Sequence, residues 1–431
     1  MKEIVNYADF DSVAWRARAR EDDAAAAQTT AAILARVAAE GDEALYDLTE
    51  RLDGPNLRAA GLGVTETEYE RAYAAVTAEW LAALRAARDN IRRYHEKQKR
   101  VSWLEPEPNG VMLGQILRPL DSVGIYAPGG TAAYPSSVLM NAVPAATAGV
   151  ERIVLVSPPR RDGTLPAEVL VAARECGLRE VYKIGGAQAV AALAFGTATI
   201  APVDKITGPG NIYVTLAKKQ VYGQVDIDML AGPSEIFILA DETADPGLVA
   251  ADLLAQAEHD PLAAALCASP QLSLLQVIAA EAERQLADLP RRSIARRAWE
   301  NYGALVRTES LAQGLELANA VAPEHLELAV AEPFRWLGLV RHAGAVFLGH
   351  HTPEPIGDYF AGPNHILPTA GTARFFSVLD VDSFMKKISV LHYSAEALEA
   401  DGRQVALLAR SEGLEAHARA VERRLGPADV K

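Results

Sequence analysis

Four stretches, SVGIYAPGG (122–130), ERIVLVSPP (151–159), EVYKIGG (180–186) and DKITGPG (204–210), decide the fold. Each is a short apolar run that stops at glycine or proline, and the segments between them carry helical patterning. Runs of this length bounded by turn residues read as strands. The intervening segments are long enough for helical crossovers, so the strands are expected to lie parallel in an α/β sheet. This unit is taken to span 121–234 and to end in the strand-like DIDMLAGPS. A second series follows: SEIFILAD (234–241), AAALCAS (263–269), GALVR (303–307), HLELAV (325–330) and GAVFLG (344–349). Two similar blocks in one chain point to an old duplication.

On either side of these blocks the texture is helical. Residues 1 to about 105 include DDAAAAQTTAAILARVAAEG and EWLAALRAARDNIRRYHEKQKR, rich in helix formers and free of internal proline. The last fifty or so residues return to helix, with Leu414, Ala418, Val421 and Leu425 on one stripe. So short a piece cannot build its own core, and a neighbouring subunit is one surface it could pack on. The fold class expected is α/β: two α/β domains, a helical N-terminal region and a small helical C-terminal segment.

A chain of 431 residues is long enough for two to four domains. Half of it is apolar and 23% is charged, the composition of a globular protein. Asp and Glu total 56 against 42 Lys and Arg, a formal charge of −14 that disfavours nucleic acid and anionic membranes as partners. Charges occupy the start, MKEIVNYADF, where a signal peptide needs an apolar run. No apolar stretch of about 20 residues occurs, so no membrane span is expected and a cytoplasmic location is. The two cysteines, Cys176 and Cys267, cannot make a disulfide scaffold, and Cys267 reads as a buried strand residue.

No GxGxxG or Walker A sequence occurs. In their place, glycine-proline and glycine-rich turns end the strands: YAPGG, IGGAQ (184–188), GPGN (208–211) and AGPSE (231–235). Backbone amides at such turns suit a phosphate or another polar ligand. A second signal is DPGLVAADLLAQAEHDP (245–261). Asp245 suits an N-cap, Pro246 the first helical position, and Asp260-Pro261 a stop. On that helix Asp252, Gln256 and His259 share a stripe, and Gln256 and His259 can point at one ion. Glu324 and His325 stand where a helical run enters a strand, as a general base and proton shuttle would. The loop GHHTPEPIGDYFAGPNHILPT (349–369) has the density of Gly, Pro, His and Asp common in active-site lids and metal loops. It offers Asp358 as a carboxylate ligand and His365 as a polar contact. His417 alone reads as a packed helix histidine. These residues describe a zinc or manganese site with an acid/base pair; they leave the substrate open.

At these same residues the sequence resembles the histidinol dehydrogenase family over essentially its whole length. The resemblance is carried by YAPGGTAAYPSSVLMNAVPAATAGV, KIGGAQAVAALAFGT, TGPGNIYV, DMLAGPSE, LLAQAEHD, APEHLEL, IGDYFAGPNHILPT, GTARFFS and SEGLEAH. It implies two incomplete Rossmann-like domains: a first at 25–120 plus 235–375, and an NAD-binding second at 121–234. It further implies an N-terminal arm at 1–24 and a dimer-crossing segment at 376–431. The implied reaction is the oxidation of L-histidinol to L-histidine by two NAD+ through a bound aldehyde. The implied metal is zinc, on Gln256, His259, Asp358 and His417. Glu324 and His325 match the catalytic pair. Ser234, Gln256, His259, His325, Asp358, Glu412 and His417 match substrate contacts, and Tyr126, Gln188 and Asn211 match NAD contacts. A homodimer with shared sites is implied, in which Glu412 and His417 complete the partner's site. Relatives of this fold that oxidise other small alcohols, a zinc hydrolase and a non-catalytic binding protein are the rival readings; Ser234 and Glu412 favour histidinol.

Overall fold

The computed structural model describes residues 2–17, 24–129 and 133–425. They form two compact units, Met1–Gln98 with Asp121–Ser383, and Lys99–Leu120 with Phe384–Lys431.

The larger unit holds two parallel sheets. The first has strands β4 (Ser122–Tyr126), β5 (Arg152–Ser157), β6 (Glu180–Lys183), β7 (Lys205–Thr207) and β8 (Asp226–Ile227) in the order β6-β5-β4-β7-β8. The four quoted stretches are its first four strands. The expected strand DIDMLAGPS shrinks to two residues, and 228–234 becomes the connection to the next sheet. The second sheet has β1 (Ile4–Asn6), β9 (Glu235–Ala240), β10 (Ala264–Ser269), β11 (Gly303–Arg307), β12 (His325–Ala329) and β13 (Ala345–Leu348). Their order is β1-β11-β10-β9-β12-β13. Leaving aside the added edge strand β1, both sheets run third-second-first-fourth-fifth, so the two blocks share one topology. In such a sheet the chain reverses its order of laying down strands beside the first strand, and ligands collect there.

The burial pattern follows from this layout. Strands covered on both faces need continuous apolar runs, and EIFILA and AALCAS are buried at every position. Ile236, Ile238 and Cys267 face the helices Pro246–Ala257, Leu272–Leu286 and Arg292–Tyr302. Phe237, Leu239, Leu266 and Leu326 face the helix Leu311–Val321 on the other side. Cys267 is the buried strand thiol expected. The N-terminal region is helical as read, with helices Ala24–Glu40, Asp42–Leu52, Glu66–Ala75 and Ala78–Glu96, the first two packed against the first sheet. Its opening residues depart from the reading: Ile4–Asn6 form a strand on β11. Part of the expected arm, residues 18–23, lies outside the described residues.

The smaller unit is a three-stranded antiparallel sheet of β2 (Trp103–Pro106), β3 (Met112–Pro119) and β14 (Met385–His392), with helices Ala395–Ser411 and Glu415–Glu422. Residues 99–120, assigned from sequence to the first α/β domain, therefore group with the C-terminal segment, because β3 pairs along its length with β14. The C-terminal stripe finds its surface inside this unit. Ala418 is fully buried, and a Cβ on Gly402 would meet Leu425 at 2.7 Å and Val421 at 3.1 Å. The neighbouring helix thus covers part of the stripe, while Leu414 stays exposed.

Candidate active site

The helix Leu311–Val321 ends at Ala322 in a left-handed conformation (φ 53°), which turns the chain so that Glu324 enters β12 and His325 begins it. In register, His325 stands beside Ile236 of β9 and Ala345 of β13. The pair thus sits at the amino ends of the second sheet's central strands, the end opposite to where ligands gather on such sheets. Both side chains are buried. Glu324 Oε2 accepts a hydrogen bond from Glu235 N at 2.9 Å. His325 Nδ1 lies 3.0 Å from the Glu235 carbonyl oxygen and donates to it. That contact fixes the tautomer: Nε2 keeps its lone pair, buried and without a hydrogen-bond partner. Burial holds the imidazole down to about 4, against the pull of Asp358, so it is neutral near pH 7. Burial pushes Glu324 far up, and the neighbouring Glu235, Asp358 and Glu354 push the same way.

Facing His325 Nε2 are Asp358 Oδ1 at 3.8 Å and Glu354 Oε1 at 3.9 Å. Both come from the 349–369 loop. Glu354 opens a single helical turn, and Asp358 lies on the π-helical turn Gly357–Ala361 that continues it. Their spacing of four along this coil brings the two carboxyls together, and they hydrogen-bond each other. The loop is pinned: Asn90 Nδ2 donates to Phe360 O at 2.9 Å, Asn364 Nδ2 to Met140 O at 2.6 Å, and Gly232 N to Thr369 Oγ1 at 2.6 Å. It is a pinned wall of the site; of the lid and the metal loop that the sequence suggested, this geometry fits the second. His365 joins through Nδ1, 3.1 Å from Asp358 O and 3.9 Å from its Oδ1.

The helix Pro246–Ala257 is capped as read, Asp245 accepting from Gly247 N and Leu248 N. It ends two residues before His259, which stands in the following turn with its backbone N bonded to Gln256 O. His259 is therefore not on the helix, yet the turn keeps it near Gln256. One nitrogen of His259 and one oxygen each of Glu354 and Asp358 lie within 4.8 Å of one another, close enough to hold an ion. Gln256 is fully buried, and neither its amide oxygen nor its nitrogen has a partner. A buried amide left unsatisfied costs about 1–3 kcal/mol unless a ligand completes it. The donor set of imidazole, amide and carboxylate suits zinc. Sequence reasoning missed Glu354, although its position one turn before Asp358 was the available signal.

Ser234 directly precedes β9, its carbonyl accepting from Ala264 N. Glu412 and His417 are exposed and belong to the smaller unit, where Glu412 caps the helix Ala395–Ser411. At the first sheet, Tyr126 ends β4 and its hydroxyl accepts from Gly186 N at 3.1 Å. Asn211 caps the helix Ile212–Val221, accepting from Tyr213 N and Val214 N. Gly208 takes φ +110° and lies so near Tyr126 that a Cβ would meet its carbonyl oxygen at 2.1 Å. Lys218 pairs with Asp228 beneath this turn and donates to Gly208 O. The carboxyl ends of β4 and β7 thus present Tyr126 and Asn211 at the reversal point, with Gln188 on the helix after β6.

The family model described as histidinol dehydrogenase matches residues 16–425. The chain belongs to the histidinol dehydrogenase family. It is 60% identical over 393 residues to the histidinol dehydrogenase of Geobacillus kaustophilus, covering 91% of this chain and 92% of that one. To the Heliobacterium mobile histidinol dehydrogenase it is 54% identical, covering 99% of this chain and all of that one. The crystal structure of histidinol dehydrogenase from Elizabethkingia anophelis superposes with a TM-score of 0.89 at 38% identity, covering 92% of this chain and 91% of that one. As a histidinol dehydrogenase family member, the protein is an oxidoreductase of histidine biosynthesis. No helix among the described residues is long and apolar enough to cross a membrane.

Proposed function

We propose that this protein oxidises L-histidinol to L-histidine with two NAD+, holding the aldehyde between the two hydride transfers, as a cytoplasmic homodimer. The observation that carries the reading is the His325 imidazole, locked by Glu235 O so that a buried, neutral Nε2 faces the carboxylate cluster. A neutral imidazole with a fixed free nitrogen is a proton acceptor in wait.

Gln256, His259 and Asp358, joined by His417, would hold zinc, and Glu354 lies within reach of the same ion. Bound there, zinc supplies an anchor for the imidazole and amine of the substrate, and NAD+ supplies the hydride acceptor. The protein's own groups do the proton work. His325 Nε2 takes the hydroxyl proton as the alcohol is oxidised. Glu324 then draws a proton from water so that the aldehyde is hydrated, and its burial makes the carboxylate a stronger base than a solvated one. His325 accepts a proton again in the second oxidation. Ser234, at the head of β9, and Glu412 contact the substrate. Tyr126, Gln188 and Asn211 hold the nucleotide at the reversal point of the first sheet. Support for the dimer comes from Leu391, Leu407 and Leu408, all about two-thirds exposed on the smaller unit.

Each histidinol consumed should give two NADH and one histidine, with no free aldehyde accumulating, followed by absorbance and amino-acid analysis. One NADH per substrate, or none, overturns the reading.

A further inference from the structure

Asp53 is an acid in an unfavourable place. It caps the C-terminus of the helix Asp42–Leu52, its N bonded to Thr49 O, where the helix dipole opposes a negative charge. It is also partly buried, and burial pushes its carboxyl up to about 6, with no basic group among the causes. Groups that unfavourable locally are commonly kept for function.

Its surroundings point to a ligand. Gln188 Nε2 lies 3.5 Å from Asp53 Oδ2, at the limit of a hydrogen bond, and the Tyr126 hydroxyl feels its charge. Gln188 is 1% exposed, and its Oε1 has no partner. Two polar groups thus stand unsatisfied or nearly so beside the carboxyl ends of β4 and β6.

The topology says which part of a nucleotide would lie there. In a sheet of this order, β4, β5 and β6 make the half that receives adenosine, and an acid near the end of the second strand takes the ribose hydroxyls. Here the second strand, β5, ends in Ser157 and runs into Pro158-Pro159-Arg160-Arg161; the first acid beyond it, Asp162, is exposed and spends its Oδ1 on Thr164 N and Oγ1 within its own turn. Pro158 fills that position, packed so tightly that a Cβ on Gly129 or Gly185 would meet it at 2.4 or 2.3 Å. The turn after Asp53 reaches the same loop, since a Cβ on Gly54 would meet Arg161 Cγ at 3.7 Å. A carboxylate absent from its usual strand is supplied by the N-terminal helical region.

We propose that Asp53 is the ribose-reading residue of the nucleotide site, accepting hydrogen bonds from the adenosine 2′- and 3′-hydroxyls and repelling a 2′-phosphate, so that it selects NAD over NADP. The proposal rests on the reading of Tyr126, Gln188 and Asn211 as nucleotide contacts. Its test is equilibrium binding of NADH, NADPH and the 2′-deoxyadenosine analogue of NADH to the full-length protein, followed by reduced-nicotinamide fluorescence. The native protein should bind NADH at least 30-fold more tightly than NADPH, and the deoxy analogue about 10-fold more weakly than NADH. In Asp53→Ala the penalty for the missing hydroxyl should fall below about 2-fold. In Asp53→Asn, which removes only the charge, the NADH to NADPH ratio should drop at least about 10-fold. An unchanged deoxy penalty in Asp53→Ala overturns the proposal, as does equal binding of NADH and NADPH by the native protein. Gln188→Ala separates the two readings. If it weakens NADH while the Asp53 variants do not, the ribose assignment alone fails; if it also leaves NADH binding unchanged, the nucleotide site itself is misplaced. Both Asp53 variants should fold, because removing an acid from a helix C-terminus relieves the dipole.

Discussion

His325 and Glu324 are chain neighbours held by one residue of β9: Glu235 gives its N–H to the carboxyl and its carbonyl to the imidazole. The same clamp allows their roles to differ. Glu324→Gln should slow the aldehyde-to-acid step by about 100-fold or more and leave alcohol oxidation within a few-fold, because only the second step needs activated water. His325→Ala should slow both. Single-turnover assays started from histidinol and from the aldehyde read the two steps; equal losses in Glu324→Gln with metal retained would refute the division. A second pair shows the cost of buried acid. Glu327 projects from β12 onto the face that carries His325 and hydrogen-bonds Asp252 on the Pro246–Ala257 helix. Burial, then the Asp252 charge, raises it from 4.5 to about 9, and burial raises Asp252 to about 6. Glu354 also feels both acids, and the buried Cys267 thiol feels Glu327. A carboxyl raised in the folded state binds more protons there than when unfolded, so stability is lost as pH climbs from about 4.5 towards 9. Glu327→Gln keeps the hydrogen bond without the charge. From pH 6 to pH 8 the stability loss in urea unfolding should be about 2 kcal/mol smaller in the variant than in the native protein, the other buried acids contributing alike to both.

At the level of elements, local chemistry made much of the site legible. Asp245 and Pro246 announced a helix start, and Asp245 does accept two backbone N–H groups. Asp245→Ala should cost about 1 kcal/mol in urea unfolding. The runs SVGIY, RIVLVS, EIFILA and AALCAS gave strands because interior strands of parallel sheets must be apolar on both faces. What stayed hidden was long-range. Ile4–Asn6 is too short to show a period and becomes a strand only because β11 offers an open edge. Residues 103–119 read as part of the first α/β domain because nothing local links β3 to β14, which pairs with it 266–280 positions later in the chain. Glu354 stands one turn before Asp358, a spacing legible in the sequence, but its meaning comes from His259 and Asp358 folding beside it. Asp53 is the same case at the first sheet. The loop 349–369 read as an active-site lid or metal loop from its Gly, Pro, His and Asp, and Asn90 and Asn364, two unremarkable residues in sequence, tie it down.

For the whole molecule, the question is what the C-terminal unit does with its exposed apolar residues. Of its own stripe, Ala418, Val421 and Leu425 pack on the Ala395–Ser411 helix and Leu414 stays exposed. Leu407 and Leu408 on that helix, and Leu391 on β14, remain outside the packing. Burying the exposed two-thirds of three leucines would contribute about 3–6 kcal/mol, enough to matter for association. The proposed dimer uses this surface and brings Glu412 and His417 to the partner's site. Leu407→Glu with Leu408→Glu should then shift the protein towards monomer in sedimentation and lower activity together with it. A sharper test is complementation. His325→Ala chains and His417→Ala chains are each inactive under this scheme, the second through weakened metal binding. Mixed and allowed to exchange subunits, they form heterodimers in which one of two sites draws His325 from the His417→Ala chain and His417 from the His325→Ala chain. That site is intact, while the other carries both defects. With random exchange half of the dimers are hetero, so activity should recover to about one quarter of native, with metal content rising in step. Demonstrated heterodimers without recovered activity would mean that each chain supplies both residues to its own site.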